Sequence, residues 1–269
     1  SDIILDHAGN AFSNAVTMKA DTGGNEAFGN ITFVDSGAVV IQTSAATDAD
    51  GELLIDGSTD GAVGGNLSIT ATTGNITQGV ALAVTGTSTF VTSADDATIT
   101  LTETSNAFTG ALLITTNDSG TDTAGDVSID GGTTGLIMGL STIDGDLTLL
   151  SGAAITDTGV ATVRGTLSVT TDASDSTITL DQLAVDGAFT LAPNGTGAVI
   201  IVNDAGLNLA ASTMGGTFSG TATTGDISDS GNLAITGTAT FITRVDGSNI
   251  VLDASGNAFS NAVTMKADT

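Results

Sequence analysis

The sequence predicts an all-β protein, a parallel β-helix (β-solenoid) of right-handed winding built from short strand repeats. Three observations point there. Apolar residues alternate with a period of two, the same strings recur along the chain, and the composition supplies only a thin core. Of 269 residues 36 are Gly, one is Pro and none is Cys, Trp or Tyr, so nine Phe are the whole aromatic content. With 40% hydrophobic residues and a mean hydropathy of +0.32, the chain still has enough apolar surface to bury. That excludes charge-driven disorder, and the single Pro excludes collagen and polyproline.

The strands are read in order from their alternation. Leu67-Ser68-Ile69, Leu82-Ala83-Val84, Ile99-Thr100-Leu101 and Val127-Ser128-Ile129 place apolar residues on one side of an extended chain. Leu147-Thr148-Leu149, Leu167-Ser168-Val169, Ile178-Thr179-Leu180, Leu233-Ala234-Ile235 and Ile250-Val251-Leu252 continue the pattern. Thr and Val favour the pleated surface, and clusters of Gly, Asn, Asp and Ser separate the runs. Gly or Thr interrupts every stretch long enough for an amphipathic helix. A sandwich does not explain repeats that run to both ends, and propeller blades carry aromatic motifs missing here. Stacked coils of about 20 residues would give about 13 coils and a rod of roughly 60 Å.

The repeats are explicit. Residues 1–22 and 248–269 agree at 18 of 22 positions, at an offset of 247. Residues 65–115 and 216–266 align without gaps at an offset of 151, with 23 of 51 identical, and 145–191 forms a looser third copy. Repetition on this scale marks an array or solenoid. The expected organisation is one continuous segment over 1–269, a period of 247 residues plus an overlap in which 1–22 is equivalent to 248–269. The start, Ser1-Asp2-Ile3-Ile4, lacks the basic region of a signal peptide and reads as the interior of something longer.

Charge narrows the function. Thirty acids face four basic residues, Lys19, Arg164, Arg244 and Lys266, for a net charge of −26. Such a surface repels phosphate backbones and anionic membranes, so neither nucleic acid nor membrane insertion is expected. There is no 18-residue apolar run. Of the acids, 27 are Asp and only Glu26, Glu52 and Glu103 are Glu, which assigns them to turns rather than helix faces.

No catalytic constellation is legible, and the expectation is that the chain is not an enzyme. His7 is the only His, and Ala254 replaces it in the second copy. A glycosidase needs paired carboxylates, normally beside aromatic sugar platforms, which are absent. Clustering of Arg164 with Arg244 in an acidic groove would point instead to a polysaccharide lyase. No cofactor is certain, but calcium is the candidate, because it takes carboxylate and loop-carbonyl oxygens. The best local set is Asp48, Asp50 and Glu52 around Gly51, with Asp144-Gly145-Asp146 and Asp95-Asp96 weaker. Rows such as Thr98/Thr100/Thr102, Thr177/Thr179 and Thr238/Thr240 raise an ice-binding alternative. Asn10, Asn106 and Asn257 share a slot in the motif Asn-Ala-Phe, and are read as coil corners in the left-handed region, with Phe12, Phe108 and Phe259 filling the core beside them.

The strings GNLSITATTGNITQ, LAVTGTSTF and ATITLTETSNAFTGAL resemble those of large bacterial surface proteins, the filamentous-haemagglutinin and autotransporter-type β-helical adhesins. The resemblance covers most of the chain and is one of style, without a diagnostic motif. It implies an exported fibrous protein at the cell surface or outside the cell, a filament or adhesin stalk. Its partners would be copies of itself in tandem or as a fibre, with possible cell-surface or matrix contacts. An adhesin module that itself binds carbohydrate or a cell surface is the alternative, and a polysaccharide-acting enzyme the remote one.

Overall fold

A computed structural model of the chain describes residues 2–12, 16–18, 29–42, 52–55, 62–117 and 124–267. Among them every element is a strand and none is a helix. The strands pair in parallel and stack coil upon coil as a β-solenoid. Among the described residues no helix is long and apolar enough to cross a membrane.

Each coil presents two long faces. The first is a 14-stranded sheet and the second a 12-stranded sheet. A third, narrow side appears near each end: Ala62–Val63, Ala83–Val84 and Ala107–Phe108 at one, Ser212–Met214, Leu233–Ile235 and Ala258–Phe259 at the other. Between them the first-face strand is broken in two, as Leu136–Met138 with Ser141–Ile143 and Ile155–Asp157 with Ala161–Val163, and it is whole again in Ile178–Val185. On the second face Glu52–Ile55 lies between Val16–Met18 and Val39–Gln42, out of chain order.

The period-two pattern becomes ladders. On the first face Phe33, Ile69, Phe90 and Ile114 stand above one another, all buried. On the second Ile76, Ile99, Val127, Leu147, Leu167 and Phe189 do the same. The alternate residues point outward, so register is fixed by the core: a slip of one residue would turn each ladder to solvent. Phe rings fill the corners, Phe90 edge-on to Phe108 at 6.3 Å and Phe241 edge-on to Phe259 at 6.2 Å.

Bonded positions on successive coils mostly lie 18 to 28 residues apart, 18 between Val185 and Asn203 and 28 between Gln78 and Asn106, and 36 apart between Asn30 and Asn66. Coil length therefore varies around the expected 20 residues, because some corners carry extra turns. The twelve strand positions along the first face give a rod of about 53 Å at the usual strand spacing. Corners entering the first face are tight. A Cβ on Gly86 would strike the carbonyl of Gly65, and one on Gly110 that of Gly86. Glycine is needed there for close approach.

The alignment at 151 holds element by element. Leu67–Ala71 and Phe218–Ala222 lie on the first face, Ile76–Gln78 and Ile227–Asp229 on the second. Ala107–Phe108 and Ala258–Phe259 lie on the third, and Leu112–Thr115 and Val263–Lys266 on the first again. The ends behave differently. Ile3–Leu5 pairs with Ile31–Phe33 on the first face, whereas Ile250–Val251 pairs with Ile227–Ser228 on the second. The local turn is kept: Asn10 and Asn257 donate their backbone N–H groups to His7 and Ala254, three residues back.

Candidate functional site

The corners hold most of the described polar bonding. Asp2 Oδ1 accepts the Asn30 backbone N–H at 2.9 Å, Asn30 Oδ1 that of Asn66 at 2.8 Å, and Asn66 Oδ1 that of Thr87 at 2.8 Å. At the corner entering the second face Asp126 Oδ1 accepts the Asp146 N–H at 2.9 Å, and Asp146 Oδ1 that of Thr166 at 2.6 Å. Asn75 and Asp226 do likewise for Thr98 and Asn249. In each case the acceptor lies one coil before the donor, so the ladder has a direction. The short Asp and Asn side chains reach a backbone N–H one strand spacing away. A longer Glu would overshoot, which accounts for the Asp excess. Carboxylates accepting backbone N–H groups make charge-assisted bonds, roughly twice as strong as neutral ones.

Asn106 is the densest node. It is 1% exposed. Its Oδ1 accepts from the Leu82 backbone N–H at 2.8 Å and from Gln78 Nε2 at 2.9 Å, and its Nδ2 donates to Gln78 Oε1 and to the Asp130 carbonyl, each at 2.9 Å. It therefore ties three coils together. In the copy 151 residues on, Asn257 Nδ2 donates to Asp229 Oδ2 and Asn257 Oδ1 accepts from the Leu233 N–H. The expected left-handed conformation of Asn10, Asn106 and Asn257 is not found. Among the described non-glycine residues positive φ occurs at Asp96 and Asp175. The Asn side chains bond across coils instead of bending their own backbone. The core-filling expectation is met at Phe108, which is buried, while Phe12 and Phe259 are partly buried against the core.

Of the calcium candidates, Asp48 and Asp50 lie outside the described residues, and Glu52 opens the strand Glu52–Ile55 on the second face. Among the described residues no group of three or more His, Cys, Asp or Glu is arranged to hold a metal ion. The weaker candidates are engaged elsewhere. Asp144 pairs with Arg164 at 2.5 Å, Asp146 caps Thr166, and Asp96 sits at a turn with φ of 59°. Arg164 and Arg244 do not meet. They follow strands four steps apart on the first face, about 19 Å. His7 is exposed, and its Nδ1 accepts the Gly9 N–H within its own turn at 3.0 Å.

Two carboxylates are perturbed. Burial, with the neighbouring Asp181 carboxylate adding to it, raises Asp157 above its ordinary value, although its Oδ2 accepts the Gln182 N–H at 2.8 Å. The hydroxyl and backbone N–H of Thr196 hold Asp175 below its ordinary value. The surface depressions are open. One near 240 Å³ is lined by Asp186, Asn208, Asp226 and Ser228, one near 230 Å³ by Val160, Asp181, Leu183 and Val202 among others, and a mostly apolar one near 350 Å³ by Phe108, Leu136, Ile137 and Ala154 among others. The first two are smaller than ordinary small-molecule sites and the third is at the lower end of their range.

On the second face the hydroxyl row is one residue wide. Thr77, Thr100, Ser128, Thr148, Ser168 and Thr190 stand in register on the second face. The adjacent outward row is Leu150, Thr170 and Ala192. That mixture forms no two-dimensional hydroxyl lattice.

Sequence reading saw the Asp residues as turn formers but not the coil-to-coil ladder, whose signal is Asp or Asn immediately before a strand, as in Asp126-Val127 and Asp146-Leu147. Neither the curated proteins nor the solved structures hold a match to the chain. The family described as repeats of unknown function (DUF5649) matches residues 43–115, 124–195 and 196–266. Those matches cover well over half of the sequence, and the chain belongs to that family of repeats.

Proposed function

We propose that the chain is a structural segment of a long extracellular filament or adhesin stalk at a cell surface, and that it is not an enzyme. The observation that carries this reading is the corner ladder. Side chains that could converge on a ligand or substrate are used to join one coil to the next. The β-solenoid repeat supports a structural role, and the near-identity of 1–22 and 248–269 supports tandem continuation with a period of 247 residues. The resemblance of its strings to β-helical surface adhesins supports display outside the cell. An acidic, hydroxyl-covered rod keeps neighbouring filaments apart by charge and stays soluble.

The test is labelling of intact cells that make the protein with an antibody raised against this segment. Surface label that is lost on brief external proteolysis is expected. Label that appears only after permeabilisation would contradict the reading.

A further inference from the structure

Five strings have the form Asn-x-Ser/Thr with x other than Pro, the acceptor pattern for an N-linked sugar. They are Asn30-Ile31-Thr32, Asn66-Leu67-Ser68, Asn75-Ile76-Thr77, Asn117-Asp118-Ser119 and Asn194-Gly195-Thr196. The fold sorts them. In the first three the middle residue, Ile31, Leu67 or Ile76, is buried in the core. The period of two then turns the Asn and the hydroxyl to the same outward side, where Thr32, Ser68 and Thr77 are half-buried. Asn66 and Asn75 are exposed and Asn30 is half-buried.

Each of these three amides is used at one end. Oδ1 of Asn30, Asn66 and Asn75 accepts the backbone N–H of Asn66, Thr87 and Thr98, each at 2.8 Å. A backbone donor needs an oxygen, which fixes the orientation of the amide and leaves Nδ2 over. Among the described residues nothing accepts from Nδ2 of any of the three. In the copy 151 residues on, Asp226 stands where Asn75 does and holds the Asn249 N–H at 2.6 Å. The corner bond therefore requires the oxygen and not the nitrogen. The other two strings are engaged. Asn117 Nδ2 donates to the Ser93 carbonyl at 3.1 Å, Asn194 Nδ2 to the Asp172 carbonyl, and the Thr196 hydroxyl to Asp175 at 2.7 Å.

We infer that Asn30, Asn66 and Asn75 are acceptor sites for an N-linked sugar, and that Asn194 is not. The step is a substitution at the anomeric carbon of a phosphate-activated sugar, carried out by a glycosyltransferase. The bond from Nδ2 to that carbon forms and the carbon–oxygen bond to the phosphate breaks. The electron pair of the broken bond leaves with the phosphate, and Nδ2 gives up one proton to a base on the transferase. Oδ1 is untouched, so the bond to the next coil survives. Asn30 and Asn66 lie at the corner entering the first face and Asn75 at the corner entering the second, so sugar flanks both long faces. The inference rests on the reading of an exported chain, since N-linked sugars belong to the surfaces of secreted proteins.

The test is glycopeptide mass spectrometry of the chain recovered from the surface and, separately, from the interior of cells that make it, after cleavage before Asp residues. A sugar mass on Asn30, Asn66 and Asn75 of the surface form, and none on Asn194, is expected. Ser68→Ala and Thr77→Val remove outward hydroxyls and are expected to lose the sugar at Asn66 and at Asn75 respectively, with the other sites and the melting temperature kept. Surface chain without sugar on the three residues, or with sugar on Asn194 instead, would overturn the sites and leave the export reading standing. A chain confined to the interior would overturn the export reading. Sugar on the three residues even there would keep the sites, and its absence would overturn them too.

Discussion

Asn106 Nδ2 donates to the Asp130 carbonyl at 2.9 Å, across one coil step, while Asn106 Oδ1 holds the Leu82 N–H on the other side at 2.8 Å. A single buried amide therefore fixes the spacing of three successive coils. The first expectation follows from removing it. Asn106→Ala leaves a buried N–H and a buried carbonyl without partners, at about 1–3 kcal/mol each. A loss of about 2–5 kcal/mol in denaturant unfolding is expected, with the slope unchanged. A loss below about 0.5 kcal/mol would show that the amide is not a joint.

Asp146 provides the surface counterpart. It receives the Thr166 N–H at 2.6 Å and donates its own N–H to Asp126. Asp146→Asn keeps an acceptor of the same reach but makes the bond a neutral one, and is expected to lower the melting temperature by less than half as much as removal of the acceptor does. Asp146→Ala loses it and should cost about 1 kcal/mol, the usual value of a cap. Equal losses in both variants would mean that the charge, rather than the bond, is what matters.

Asp157 has a pH signature. Its folded value is raised above 3.8 by burial and by Asp181, so the folded state resists ionisation. The sign follows: relative to a neutral side chain, the native carboxyl costs nothing below the unfolded value. It becomes destabilising as pH rises from there through the raised folded value. Asp157→Asn, which still offers Gln182 an acceptor, is expected to melt above the native protein at pH 7 and level with it at pH 3. A lower melting temperature at pH 7 would contradict this.

Calcium is tested at Asp48, Asp50 and Glu52, where carboxylates alternate around Gly51. Millimolar calcium is expected to raise the melting temperature more than NaCl at matched ionic strength, by mass action on the folded state. The excess should vanish in the Asp48→Asn, Asp50→Asn double variant. Equal effects of the two salts would leave only screening of the −26 charge.

How much of this was legible in the sequence depended on which residues set it. The alternating triplets from Leu67-Ser68-Ile69 to Ile250-Val251-Leu252 fall in strands, with Leu82 and Leu252 one residue outside theirs, because burial on one side is a local signal with period two. The 151-residue alignment also held, since equal strings fold onto equal faces when the same coils flank them. Face assignment was not legible at the ends. Ile3 and Ile250 share a sequence context, and neighbouring coils decide which face each joins. The Asn role was misread for a related reason. Asn106 meets Gln78 and Asp130, each 24 to 28 residues away, and only stacking brings them within reach.

The central claim is that coils stack continuously into a rod whose polar side chains serve the joints. Small-angle scattering from the 269-residue chain and from a two-period protein, in which residues 23–269 follow a first full copy, tests it most directly. The expected result is a maximum dimension that grows from about 53 Å to roughly twice that, with an unchanged cross-sectional radius of gyration. A two-period protein that widens in cross-section or folds back to a compact particle would contradict it.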